Sequence, residues 1–415
     1  MTNLYQKELP RLFDPRGIVL FLFQLIVVWS SLSTGFSASS PFVDDFRTLH
    51  LGAIVADTHN DVVQRILEGD NLSNRTHRGH SDLPRFTEGG LDIEMFSIWV
   101  PPERKDKSYF DQANEEIDSI ESLARRNPEK IGIARNARQI QTLLDEKKFV
   151  AMLGLEGGHH IEDNLDYLEH FYNRGVRYMT LTWNNSTSWA ASAYDETVHP
   201  ELLQHKGLTA FGKSIVKRMN ELGMLVDVSH VGEATFWDVM KVTKKPIMAS
   251  HSSVWKLCPH RRNLKDDQLQ AIAKTGGVVF INFLPNFIDS TFSEKERRLR
   301  ETHKERIDSL RPTHKWEDFK FHSAVAGMLK DEYMRIRPPL QVLINHFDYA
   351  IKLIGADHVG LGSDFDGIHT TPLELDDVTF LPNITRELLN RGYSEPDIRK
   401  VLGENFLRMI REGCE

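Results

Sequence analysis

Cysteine is nearly absent: the 415-residue chain has two, Cys258 and Cys414. That excludes a disulfide framework and leaves no Cys-x-x-Cys pair for a structural metal. An excess of charge is missing too, since 51 basic against 59 acidic residues give a formal net charge of -8. Such a balance argues against a nucleic-acid or anionic-membrane surface. The basic run from Glu294 to Arg306 is interleaved with glutamates and reads as a solvated helix face. No short-period repeat occurs, and low complexity is confined to a serine cluster near the N-terminus. The C-terminal stretch, Phe406 to Glu415, is too charged for a lipid-anchor signal.

Long apolar runs are also scarce. Lys7, Arg11 and Arg16 precede an apolar-rich stretch, Gly17 to Trp29, and then the small residues Ser30 to Ser40. A membrane-spanning helix needs about 20 apolar residues, whereas the core of a secretory signal needs about 7 to 15. Residues 1–35 are therefore expected to be a signal peptide cleaved after Gly35, with an uncleaved N-terminal anchor as the alternative. Either way the protein is exported, periplasmic or extracellular, and any membrane tether runs through that segment. Residues 36–415 are expected to form a single domain.

What the chain does have is eight short β-branched runs. They are Ala53–Ala56, Met95–Val100, Phe149–Leu153, Val176–Leu181, Met224–Val228, Pro246–Ala249, Gly277–Ile281 and Val359–Gly362. Helical patterns lie between them: Phe110–Arg125, Leu208–Leu222 with Thr209 as N-cap, Asp266–Thr275 and Pro339–Ile354. Several close on glycine just before the next run. Strand, helix, glycine, strand is the grammar of a parallel sheet, and eight units predict an α/β fold, a (β/α)8 TIM-type barrel. Residues 284–337 are too long for a simple connection and are placed as a helical insertion after strand seven. That insertion is decoration, a lid or a homodimer contact.

Such a barrel gathers the C-terminal ends of its strands at one mouth. His59 and Asp61 follow the first run, Glu156 the third, His230 the fifth and His251 the sixth. His59 and Asp61, two apart on extended backbone, share a face. Glu156 sits between an apolar strand and Gly157-Gly158, where a carboxylate needs compensation for its charge. Together the five residues offer two triads sharing one carboxylate: His59, Asp61 and Glu156, then Glu156, His230 and His251. Three protein ligands with an open position is the catalytic zinc pattern, and paired metals share a water or hydroxide. Imidazole and carboxylate would also accept manganese or cobalt. Asp364, just past the eighth run, exceeds the ligand count and suits proton transfer. In the loop after His251, Arg262 would grip a substrate carboxylate. His159, His160 and Asp366 are read as structural.

Taken as a set, these segments resemble the membrane (renal) dipeptidases, binuclear zinc peptidases of the amidohydrolase-like barrel superfamily. The resemblance rests on His59-Asn60-Asp61, Glu156-Gly157-Gly158, Leu181-Thr182, Ser229-His230, Ser250-His251-Ser252-Ser253, Arg261-Arg262-Asn263 and Gly362 to Gly367. It implies hydrolysis of dipeptides, including those with a C-terminal D-residue, by a hydroxide bridging two Zn2+ ions. It assigns the five ligands above to zinc, Asp364 to acid/base work and Arg262 to the substrate's terminal carboxylate. One departure stands out. Animal members carry a histidine after Leu-Thr that steadies the substrate carbonyl, and this chain has Trp183. Either Trp183 or Asn184 takes that substrate-binding place, or zinc alone polarises the carbonyl. The alternatives are a hydrolase of another carboxylate-bearing amide, such as an N-acyl amino acid or β-lactam, and a non-catalytic metal- or peptide-binding relative.

Overall fold

The computed structural model describes residues 45–103, 106–310 and 318–414. The expected signal segment, residues 1–35, lies outside them. The chain divides into units Met1–Asp45 and Phe46–Glu415, and the architecture below is that of the second.

Among the described residues nine parallel strands form one sheet: β1 Ala56–Asn60, β2 Ile93–Ile98, β3 Ile131–Ile133, β4 Phe149–Glu156, β5 Val176–Thr180, β6 Leu225–Asp227, β7 Ile247–Ala249, β8 Val278–Ile281 and β9 Val359–Leu361. Pairing of β2 with β4 and of β1 with β9 closes eight of them into a ring. The fold is thus a (β/α)8 barrel, and all eight expected runs are staves of it. β1 starts at the end of its run, so His59 lies within the strand rather than after it. β3 was not foreseen: Ile-Gly-Ile is short and carries little strand signal. It pairs with Phe149–Ala151, the stretch of β4 that β5 leaves uncovered.

Strand alternation sorts the core into two layers. Ala56, Ile93, Met95, Val150, Met152, Tyr178, Leu225, Met248, Val278 and Phe280 cluster inside the ring, plugged at its base by Phe406 and Met409 of the C-terminal helix. Their neighbours, among them Phe96, Leu153, Met179, Val226 and Val279, face outward to the helices. Those helices include α1 Tyr109–Arg126, α2 Ala210–Leu222, α3 Asp266–Lys274 and α4 Leu340–Ile354. The caps match the sequence: Thr209 accepts the amide of Gly212 and left-handed Gly223 ends α2.

The insertion between β8 and β9 is helical as expected and includes Phe292–Thr302, Lys330–Ile336 and a small core around Phe292, Val325 and Tyr333. A buried carboxylate helps to latch it to the barrel. Glu296 accepts from Tyr333 of the insertion (2.7 Å), from His369 after β9 (2.8 Å) and from Asn286 after β8 (3.0 Å). No disulfide joins the cysteines: the Cys258 thiol lies 3.5 Å from the Asn286 carbonyl, and that of Cys414 3.9 Å from the Arg177 carbonyl. Among the described residues no helix is long and apolar enough to cross a membrane.

Candidate active site

Five of the mouth residues meet at one point. His59 Nε2 lies 3.5 Å from both Asp61 Oδ2 and Glu156 Oε2. Glu156 Oε1 is 3.0 Å from His230 Nε2 and 3.4 Å from His251 Nε2, and those two nitrogens are 3.0 Å apart. Glu156 is reached by both halves of the set. The rings of His59 and His251 stack at 3.7 Å. All five residues are buried.

Backbone geometry delivers them. In β4, Val150 and Met152 point into the ring, so Glu156, of the same parity, points into its mouth. In β1 the register shift between Asp57 and Asn60 reverses the parity after Ala56 and turns His59 inward. His230 has φ +64°, a left-handed conformation uncommon for histidine, and its carbonyl is held by the amide of Ala193 at 2.7 Å.

A shell below fixes which ring nitrogens face the centre. The Ser250 hydroxyl donates to Asp227 Oδ2 (2.6 Å), so the hydrogen on His251 Nδ1 is what faces Ser250 Oγ at 2.7 Å. His251 Nε2 therefore presents a lone pair. The Tyr178 hydroxyl lies 2.9 Å from His59 Nδ1 and orients that ring. His251 Nε2 and Glu156 Oε1 thus both turn lone pairs to the centre, 3.4 Å apart, a repulsion that a cation between them would relieve. His59 Nε2 and Asp61 Oδ1 are buried with no hydrogen-bond partner. Two triads satisfy a metal-site geometry, His59–Glu156–His251 and His59–Asp61–Asp364. The donor set fits divalent cations.

Electrostatics agree with that balance. Burial, reinforced by Arg262, pushes His230 down to about 3, and burial with nearby His59 keeps His251 well below its usual range. Burial opposes charge on His59, but Tyr178, Glu156 and Asp61 outweigh it and hold its pKa well above normal. Burial opposes charge on Glu156 too, but His59, His230 and His251 outweigh it and hold its pKa well below normal.

The cluster floors a cavity of about 670 Å3, lined also by Trp99, Trp183, Asn184, Arg262, Phe287 and Asp364. Asp364, at φ +63°, receives Asn282 Nδ2 on its Oδ2 at 2.8 Å. Burial, with Asp61 and Glu156 nearby, raises its pKa well above the usual carboxylate range. Arg262 is 5% exposed; its guanidinium packs 5.5 Å over the Phe287 ring and, among the described residues, reaches only the His251 carbonyl (3.2 Å) and Ser252 Oγ (3.5 Å). Burial lowers its pKa to about 10. Asp366 stays out of the mouth, pinned by Arg65 Nη1 (3.1 Å) and the His80 amide (2.8 Å). His160 ties the Gly157 carbonyl (2.6 Å) to the Val100 amide (3.1 Å), a structural role. Sequence reading missed Tyr178, Asn282, Ser250 with Asp227, and Trp99. Asn282 and Trp99 carried a signal, since Asn282 stands one alternation beyond inward-facing Phe280 and Trp99 two beyond Met95.

A closed parallel barrel with His, Asp and Glu donors converging at its C-terminal mouth defines the amidohydrolase-like class. Within that class, the chain belongs to the membrane dipeptidase family (Peptidase family M19), which it matches over residues 43–414. It is 30% identical over 365 residues to mouse (Mus musculus) Dipeptidase 3, an alignment spanning 86% of this chain and 64% of that protein. Among solved structures it resembles the probable dipeptidase PvdM from Pseudomonas aeruginosa, with TM-score 0.73, 26% identity, and 90% and 98% of the two chains covered. It also resembles a metallo peptidase from Rhodobacter sphaeroides liganded with a phosphinate mimic of the dipeptide L-Ala-D-Ala. There the TM-score is 0.70, the identity 26%, and the coverage 87% and 99%.

Proposed function

We propose that this protein is an exported metallo-dipeptidase holding two zinc ions, with His59, Asp61 and Glu156 around one and Glu156, His230 and His251 around the other. The observation that carries the reading is Arg262: a buried guanidinium with no carboxylate partner among the described residues, lining the same cavity as the His, Asp and Glu cluster. A site that pairs an anion receptor with a metal pair suits a short substrate ending in carboxylate. Bound there, the ion pair would acidify a shared water and polarise the scissile carbonyl.

The chain's own residues supply the rest. Arg262 binds the substrate's terminal carboxylate and so sets how far the scissile bond lies from the chain end, which limits the substrate to two residues. Asp364 Oδ1 accepts the proton of the attacking water and passes it to the departing amide nitrogen. Asn282 holds Oδ2 throughout, because its own Oδ1 is fixed by the Leu284 amide at 2.6 Å. Trp183 and Asn184 contact the substrate from the β5 side, where the relatives' carbonyl-steadying histidine would stand. Acceptance of C-terminal D-residues belongs to this reading, supported by the mimic bound to the Rhodobacter relative. Because Arg262 reads only the acid end, other carboxylate-bearing amides, lactams included, are the second reading. Export rests on residues 1–35 acting as a signal peptide.

The test is Asp364→Asn with metal analysis and a dipeptide assay. Two zinc equivalents should remain while turnover falls by roughly 10²-fold or more. Undiminished hydrolysis would remove Asp364 from the mechanism. Two bound zincs in a wild-type protein that cleaves no carboxylate-bearing amide would leave a binding protein.

A further inference from the structure

The cavity has two chemically different walls. Arg262 and Phe287 belong to the connections after β7 and β8. Trp99 and Trp183 stand after β2 and β5, across the ring, with the Glu156 strand between them. A dipeptide anchored by its carboxylate on Arg262 and crossing the donor cluster brings its other residue to that second wall. The two indoles meet at 5.0 Å between ring centroids with a 54° tilt, forming a corner of two flat faces. Both are only half-buried, so the corner is open to the cavity.

The corner is built rigidly. Trp99 N donates to Glu116 Oε2 (2.8 Å), and its carbonyl accepts from Gln64 Nε2 (2.6 Å), itself bonded to Glu116 Oε1 (2.9 Å). Trp183 is backed by the Gly157 turn, where an added Cβ would lie 3.5 Å from its own, and by the His230 ring at 6.2 Å. The nearby rim charges, Glu103 and Arg261, are opposite in sign and both exposed, so they select for neither charge.

We propose that Trp99 and Trp183 form the subsite for the side chain of the substrate's N-terminal residue, and that they select an aromatic one. This rests on the dipeptidase reading and on Arg262 as carboxylate anchor. A planar ring can stack on one indole while presenting an edge to the other, an arrangement favoured by the ring quadrupoles. A glycine would leave both faces wet.

The experiment compares Gly-Ala, Lys-Ala and Phe-Ala as substrates of the zinc-loaded wild type, Trp183→Ala and Trp183→Phe. Calorimetric binding of the phosphinate analogues of Gly-Ala and Phe-Ala is measured on the same proteins. Wild type should prefer Phe-Ala to Gly-Ala by about 30-fold in kcat/KM, carried by KM, with a matching ratio in phosphinate affinity. Trp183→Ala should compress that ratio to about 3-fold or less, and Trp183→Phe should restore most of it. The ratio is the readout, so losses common to all substrates cancel. A ratio that survives Trp183→Ala, or a wild type that prefers Lys-Ala, overturns the proposal and leaves the dipeptidase reading standing. Failure both to hydrolyse the dipeptides and to bind either phosphinate sinks that reading and this proposal with it.

Discussion

Replacing Arg262 with Met should make the protein more stable and much less active. The cost of the guanidinium can be read from its surroundings. Held at about 10 rather than its usual value of about 12.5, it carries about 3 kcal/mol of uncompensated burial at neutral pH. Methionine keeps the apolar stem over Phe287 and gives up only two long hydrogen bonds, to His251 O and Ser252 Oγ. A gain of about 1–3 kcal/mol follows, worth a few degrees of melting temperature at roughly 2 °C per kcal/mol. On substrates, loss of a buried charge-assisted contact should cost about 3–4 kcal/mol, or roughly 10²- to 10³-fold in kcat/KM. The assay is a double cycle with L-Ala-L-Ala and its C-terminal amide, plus calorimetric melts. Wild type should discriminate against the amide by the same factor that Arg262→Met loses on the acid, and the variant should treat both alike. A variant that melts several degrees lower, or that loses as much on the amide as on the acid, refutes the assignment of Arg262 as an anion receptor that the fold holds at a cost.

Tyr178→Phe removes the hydroxyl beside His59 Nδ1 without disturbing the ring packing, and should weaken metal affinity by roughly 10- to 100-fold in chelator competition. Unchanged affinity would mean that His59 needs no orienting partner. His50 gives a pH dependence away from the mouth: buried between Thr385 Oγ1 (2.7 Å) and the Gly89 carbonyl (2.9 Å), it is lowered to about 4 by burial. The unfolded chain, near 6.5, binds the proton first, so stability present above that value is lost as pH falls toward 4. Between pH 7 and 5 this group should remove about 2 kcal/mol of unfolding free energy. His50→Gln should flatten that slope in denaturant titrations, and an unaltered slope would refute it.

Much of this was legible because barrel strands carry their message in alternation. Val150, Met152 and Glu156 keep one parity, as do Val278, Phe280 and Asn282, and alternation carried one step past the strand would have found the last of these. The histidines were legible by another route, as lone imidazoles just past apolar runs. How each is aimed was not: His59 depends on a register shift, and His230 on a left-handed residue tied to Ala193, and neither leaves a compositional trace. Tyr178 escaped because a tyrosine inside a strand looks like core until its hydroxyl is seen against His59. β3 escaped because three residues with a central glycine are too little pattern to read. The insertion was legible as helix, while the latch at Glu296 required knowing that His369 and Asn286 arrive beside it.

Ring closure joins the first strand to the last, since Asp57 of β1 pairs with Leu361 of β9. All five proposed ligands are already synthesised when the ribosome passes residue 251, yet the last stave is still more than a hundred codons away. A nascent chain therefore possesses the ligands long before it possesses the cup that holds them. Capture of a cation by the full donor set would await that last stave, and an ion held at a hundredfold excess over its dissociation constant would then stabilise the closed ring by about 2.7 kcal/mol.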